Sequence, residues 1–174
     1  MNILLNYKTT ILIFILAFSG CSGSRLRIGN SVTLCCPGSY ENYDEYRVEL
    51  VDVPIFLRDY VVDEFDRAFQ ELGLDRNDQS SDLVVTIAYE HVNLNPEQQD
   101  INPFVRPESI TEELNYIAVI DISMRETTTG NQVWGGTISR MHFVTPGEYM
   151  HEDRARAAFL YTFRDLLNNY PIMD

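Results

Sequence analysis

The hydrophobic period changes several times along the chain, and this change limits the fold more than any other feature. Four segments alternate apolar and polar side chains, which indicates half-buried strands: residues 46–52, 83–92, 116–125 and 132–143. Two other segments, 57–72 and 155–170, carry apolar residues at three- and four-residue spacing, which indicates amphipathic helices. The predicted order is therefore β-α-β-β-β-α.

This order predicts an α+β fold, a two-layer α/β sandwich in which both helices pack on one face of a four-stranded mixed sheet, because each helix must bury one apolar stripe. The first strand, helix and second strand are expected to form a right-handed parallel crossover. Thr128-Thr129-Gly130-Asn131 is a turn that predicts an antiparallel hairpin of the last two strands. Gly73 is a candidate helix cap, and Gly135-Gly136 predicts a bulge or a close backbone approach.

The first 20 residues have the order of a bacterial lipoprotein signal peptide. Lys8 precedes eight consecutive apolar residues at 11–18, which is too short for a transmembrane helix, and Ser19-Gly20 precede Cys21. This order predicts cleavage before Cys21, lipidation of its side chain and membrane attachment through that lipid. The alternatives are cleavage by ordinary signal peptidase after Ser19 and an uncleaved short anchor. We predict a signal peptide at 1–20, a lipidated tether at 21–44 and an α/β domain at 45–174.

The expected location is the bacterial cell envelope. Ser22, rather than Asp, follows the lipidated cysteine, and by analogy with enteric sorting this predicts attachment to the outer membrane, facing the periplasm. The chain has 26 acidic and 13 basic residues and a formal net charge of −13. Because phosphate backbones are bound by basic surfaces, this charge argues against a nucleic-acid partner.

Several short segments resemble one family of envelope proteins. Ser81-Asp82-Leu83-Val84-Val85 enters a strand, Val133-Trp134-Gly135-Gly136 follows a turn, and the last helix ends in Asn168-Asn169-Tyr170-Pro171. With the lipidation signal, these segments resemble the bacterial envelope lipoproteins of the domain-of-unknown-function family 4136 over roughly residues 46–171. The resemblance implies a periplasmic α/β lipoprotein with no assigned chemistry.

The candidate catalytic and metal-binding residues do not form a known motif. The three acids Glu64, Asp66 and Glu71 lie off the apolar stripe of the first helix, which is typical of a solvated face, although an acid pair of the glycosidase type is the alternative. His91 and His142 lie on strands and His151 starts a helix, without the spacing of a zinc site. We therefore predict no enzyme activity, no cofactor and no metal.

Cys35 and Cys36 are adjacent, so a normal disulfide between them would be strained. They are interpreted either as an incidental pair in the tether or as thiols for a redox-dependent or intermolecular disulfide.

The sheet face opposite the helices is the candidate partner surface. Glu49, Thr86 and Glu90 are expected on it. Trp134 is more typical of packing in the core or on a sheet face than of ligand stacking, and it is also included among the candidate partner residues. The residues predicted for partner contact are Asp121, Ser123, Arg125, Trp134, Thr137 and Ser139.

Three hypotheses about function follow. The first is a membrane-anchored, non-catalytic domain that binds or scaffolds an envelope protein or glycan. The second is an envelope hydrolase with a carboxylate or loop-borne site, where the long polar loop 93–113 is one candidate location. The third is a structural homo-oligomer joined through an open strand edge or through Cys35 and Cys36.

Overall fold

The computed structural model describes residues 29–33, 38–94, 114–144 and 152–171. Within these ranges, two helices and six strands form the domain, and a short 3-10 helix at Tyr40–Asn42 precedes the second strand. The elements are β1 Gly29–Thr33, β2 Glu45–Val51, α1 Ile55–Gln70, β3 Asp75–Arg76, β4 Leu83–Asn93, β5 Leu114–Glu126, β6 Gln132–Val144 and α2 Glu152–Leu167.

The sheet is mixed and has the order β1-β6-β5-β4-β2-β3. The predicted parallel pairing of β2 with β4 and the predicted antiparallel hairpin of β5 and β6 are confirmed. The predicted number of four strands is wrong, since β1 pairs antiparallel with β6 and the two-residue β3 pairs parallel with β2. Both additional strands are short edge strands, and pairing with a longer neighbour holds them in place without a long alternating pattern.

The strand β1 lies inside the segment that we predicted to be a tether. The next described stretch also packs on the domain, because Tyr43 is buried and the hydroxyl of Tyr40 donates to the carbonyl of Val133 at 2.6 Å. The folded domain therefore begins before the predicted boundary at residue 45. In the ladder, Gly29, Asn30 and Ser31 lie opposite Ser139, Ile138 and Thr137 of β6.

The first helix follows the predicted stripe. Leu57, Val61, Phe65 and Phe69 are buried, and Gly73 takes the left-handed conformation just beyond the helix, with φ of 85°. The amide of Gly73 donates to the carbonyl of Gln70, and the next amide donates to the carbonyl of Phe69, as in a Schellman motif. The prediction that Gly73 caps this helix is confirmed.

Both helices contribute to one core on the same face of the sheet. The ring centroids of Phe65 on α1 and Phe163 on α2 are 5.4 Å apart, and the Tyr46 ring of β2 lies 4.7 Å from Phe69. The strands add alternate residues of β4 and β5, including Ile87 and Ile122. The opposite side of the sheet is called the outer face below; it carries Thr86 of β4, Asp121 of β5 and Thr137 of β6.

Gly136 is the site of the predicted close approach. A Cβ atom at this position would lie 2.6 Å from Cη2 of Trp134 and 2.9 Å from Cδ2 of Leu166 on α2. The absent side chain therefore leaves the room in which the indole of Trp134 packs under α2. A register shift between Met124 and Arg125 lies opposite the start of β6, near the predicted bulge.

Candidate functional site

The polar half of the outer face is built by cross-strand neighbours on β5 and β6. Asp121 lies directly opposite Thr137, whose hydroxyl donates to the Asp121 carboxylate at 2.6 Å. Ser123 is half-buried, whereas Arg125 is exposed. Alternation along β5 places Asp121, Ser123 and Arg125 on one face, as the sequence predicted.

Two of the predicted partner residues are not available on this surface. Trp134 is fully buried and packs with Leu166 on the helix side, so the prediction that it packs in the core is confirmed and its inclusion among the partner residues is wrong. Ser139 does lie on the outer face but is only 4% exposed. The position of Trp134 could have been read from the sequence, because it is an odd number of residues from Thr137 and Ser139 on the same strand.

The other half of the outer face is apolar, which the sequence-based prediction of this surface did not include. Val92, Ile117 and Met141 are directly paired across β4, β5 and β6. Ile117 and Val119 are buried, while Met141 is partly exposed and Phe143 is 60% exposed. The signal was the run from Tyr116 to Ile120, in which residues of both parities are apolar.

The remaining residues assigned to this face lie on β2 and β4. Glu49 is exposed and pairs with Arg47 at 3.4 Å, Thr86 is half-buried and pairs with Ser123 in the ladder, and Glu90 is exposed. The outer face thus has charged and hydroxyl side chains at one end and apolar side chains at the other.

The acid Glu64 is the main correction on the helix side. It is only 2% exposed, and its carboxylate pairs with Arg67 at 2.8 Å and with Arg156 of α2 at 3.3 Å. The prediction of a solvated carboxylate is therefore wrong at this position. Its spacing gave the signal, because Glu64 is three residues after Val61 and four before Ala68, at the margin of the buried stripe.

Asp66 of α1 and Glu71, the residue after its end, are also held by specific partners. The Tyr46 hydroxyl donates to Asp66 at 2.7 Å, and Arg76 pairs with the same carboxylate at 3.3 Å. Glu71 accepts two hydrogen bonds from Arg164 of α2, which lower the pKa of Glu71 below its usual value. These pairs join α1 to β2, β3 and α2, so the acids have a clear structural role.

The two histidines that the structure describes are placed differently. The imidazole of His142 stacks on the Tyr116 ring at a centroid distance of 4.9 Å, and burial together with the nearby Arg140 charge lowers the pKa of His142. His91 is exposed, with its ring 6.3 Å from that of Tyr89. His151, Cys21, Cys35 and Cys36 lie outside the described residues.

The arrangement is suited to surface contact. Within residues 29–33, 38–94, 114–144 and 152–171, no group of three or more His, Cys, Asp or Glu side chains could hold a metal ion. In the same ranges, no helix has the length and apolar character needed to cross a membrane. The outer face offers exposed apolar side chains at one end, Met141 and Phe143, and the hydrogen-bonding groups of Asp121, Thr137 and Arg125 toward the other end.

Known proteins resemble this chain in fold rather than in sequence. No protein-family model matches it, so membership of family 4136 is not confirmed, and no curated protein matches it. A PDZ domain protein from Parabacteroides distasonis has a similar fold, with a TM-score of 0.51 and 13% identity over 84% of this chain. The chain spans only 36% of that protein.

Bacterial lipoproteins are among the other solved structures with a similar arrangement. Rare lipoprotein B from Shewanella oneidensis has a TM-score of 0.39 and 11% identity, with 72% of this chain and 92% of that chain covered. A minor lipoprotein from Acinetobacter baumannii has a TM-score of 0.38 and 14% identity, with 72% and 86% covered.

Proposed function

We propose that this chain is a bacterial lipoprotein whose α+β domain binds an envelope protein or glycan without catalysing a reaction. Acylation of Cys21 anchors it in the outer membrane, and the domain faces the periplasm. Several acyl chains on one residue exceed the two signals that stable anchoring requires.

The two-part outer face is the observation that supports partner binding. Both described helices pack on the other side of the sheet, so within the described residues no helix lies over this face of β4, β5 and β6. Protein interfaces contain both apolar and polar area. Met141 and Phe143 supply exposed apolar area, and Asp121 and Arg125 supply charged groups on the same face.

The contacts of the acidic residues support the non-catalytic proposal. A glycosidase needs one carboxylic acid that keeps its proton and a second carboxylate at a defined distance. Glu64, Asp66 and Glu71 are each paired with arginine, and the hydrogen bonds from Arg164 lower the pKa of Glu71. These pairs hold the domain together and do not resemble a poised acid pair.

Metabolic labelling with radioactive palmitate tests the anchor. The intact chain should be labelled, and the Cys21→Ser variant should carry no label and leave the membrane fraction. Label that persists in the variant would show that the anchor is assigned to the wrong residue. A Ser22→Ala variant is the matched control and should be labelled like the parent protein.

Site-specific photo-crosslinking in intact cells tests the binding surface. A photoreactive amino acid at Met141 or Asp121 of the outer face should give the same crosslinked partner. At Tyr161, an exposed residue of α2 on the opposite side, it should not. Identical products from all three positions, or none from the outer face, would refute the proposal. A product with twice the mass of the chain would identify a second copy, as in the homo-oligomer hypothesis.

A further inference from the structure

Among the described residues, one side of β2 has no strand partner along most of its length. β2 pairs with β4 over residues 46–51, whereas β3 covers only Glu45 and Tyr46 on the other side. The amide of Asn77 donates to the carbonyl of Tyr46 on that second side. Backbone groups alternate in direction along a strand, so the amides and carbonyls of Val48 and Leu50 point to the same side as the carbonyl of Tyr46. In the part of the chain that the structure describes, no strand pairs with them there.

Exposed apolar side chains surround the open end of β2. Val51 ends the strand, and α1 begins four residues later with Ile55 and Phe56. Ile55 is 81% exposed, and Val51 and Phe56 are about half exposed. An open strand edge beside apolar side chains favours the addition of a further strand, with backbone hydrogen bonds for affinity and side-chain contacts for selectivity.

The negative charge around this edge favours an added strand with basic side chains. Residues 41–78, which contain β2, α1 and β3, carry 12 acids and four arginines, a net charge of −8. A second copy of this chain would bring an equally acidic segment to the edge, and the two would repel each other. A segment with basic side chains would be attracted instead.

We propose that the edge of β2 at Val48–Val51 accepts an extended, basic segment of another envelope protein as an additional strand. This inference rests on the proposed partner-binding function and adds the chemistry of the partner. In the sheet order, β2 is four strand spacings from β1, about 19 Å at 4.8 Å per spacing. The edge thus lies across the sheet from the strand that is next to the lipidated residue in sequence.

Peptide binding to the whole protein, purified from envelopes in detergent, tests the proposal. The probe is a fluorescent nine-residue peptide of alternating Val and Lys, and its binding is followed by anisotropy. One comparison peptide has Glu in place of Lys, and another keeps the Lys residues but has Pro in place of the central Val residues. We expect the Val–Lys peptide to bind at least tenfold more tightly than either comparison peptide. The Glu peptide lacks the positive charge, and the Pro peptide cannot form the backbone hydrogen bonds of a strand.

Hydrogen exchange and matched variants locate the binding. The Val–Lys peptide should slow exchange at the amides of Val48 and Leu50, measured by NMR. The Ile55→Lys variant should bind it about fivefold or more weakly, whereas Tyr161→Lys, with the same charge change on an exposed residue of α2, should differ by less than about twofold.

Several results would overturn the proposal. Equal binding of the proline peptide would mean attraction by charge alone, and unchanged exchange at Val48 and Leu50 would place the peptide elsewhere. Dimerisation that Ile55→Lys abolishes would make a second copy the occupant. Absence of peptide binding, with outer-face crosslinks retained, would refute the edge while the proposed function stands. Edge binding without any outer-face crosslink would refute the proposed surface instead.

Discussion

Replacing Gly136 by alanine tests how the two layers of the domain meet. The added methyl would lie 2.6 Å from Cη2 and 3.0 Å from Cζ3 of Trp134, and 2.9 Å from Cδ2 of Leu166. Both neighbouring side chains are fully buried, so neither can turn toward solvent. The methyl must therefore displace the indole or move α2 away from the sheet.

The size of the effect follows from two opposing contributions. Overpacking of a dense core costs about 1–3 kcal/mol. Alanine also restricts the conformations of the unfolded chain, which stabilises the folded state by about 0.4–1 kcal/mol. The free energy of unfolding should therefore fall by about 1–2 kcal/mol in Gly136→Ala. Urea titration followed by the fluorescence of Trp134, the only tryptophan in the chain, measures it directly.

A double-mutant cycle with Leu166→Ala identifies the cause. Removing the Leu166 side chain costs about 2–5 kcal/mol alone but makes room for the new methyl. The cost of Gly136→Ala should then fall by about 0.5 kcal/mol or more in this background. Gly73→Ala is the control for the cycle: a Cβ there has no neighbour within 4 Å, so its cost comes from the left-handed φ of 85° and should be the same in both backgrounds. A neutral Gly136→Ala, or equal costs in both backgrounds, would refute the close packing.

Three further predictions concern polar groups in the core. Arg156→Met should lower the free energy of unfolding by about 1–3 kcal/mol, because the buried carboxylate of Glu64 keeps one arginine instead of two; an unchanged urea midpoint would contradict this. Tyr46→Phe should cost about 1 kcal/mol in the same assay through its lost bond to Asp66, and a gain would contradict it. Burial holds the pKa of His142 below its unfolded value near 6.5. The contribution of His142 to the free energy of unfolding is therefore complete above pH 6.5 and declines as the pH falls below that value. His142→Asn should flatten this decline in stability between pH 7 and 5, and an identical pH profile of the variant and the parent would contradict the prediction.

The main elements could be predicted from the sequence because each carries its own period. The stripe through Leu57, Val61 and Phe65 specifies both a helix and the side that it buries. β1 and β3 lack such a signal, since a short edge strand owes its form to the neighbour it pairs with. The strand count was therefore the part of the fold that local patterns could not supply.

The candidate surface was predicted only in part, because local patterns show which face a residue lies on but not how distant segments pack against it. Alternation placed Asp121, Ser123 and Arg125 on one face correctly, and it also contained the information that Trp134 faces the other way. The burial of Glu64 depends on Arg156, which is 92 residues away on another helix. A sequence pattern shows that Glu64 lies at the margin of a stripe, but only the packing of two helices shows that an arginine covers it.

The position of β1 changes the distance at which the proposed anchor holds the domain. A tether from Cys21 to the start of β2 at Glu45 could reach about 84 Å when fully extended, at roughly 3.5 Å per residue. With β1 in the sheet from Gly29, the reach falls to about 28 Å, close to the diameter of a small domain. A lipidated Cys21 would therefore keep the domain beside the bilayer. Partners in the membrane, or held near it, could contact the domain, and the β2 edge would lie on the side of the sheet away from the anchored strand.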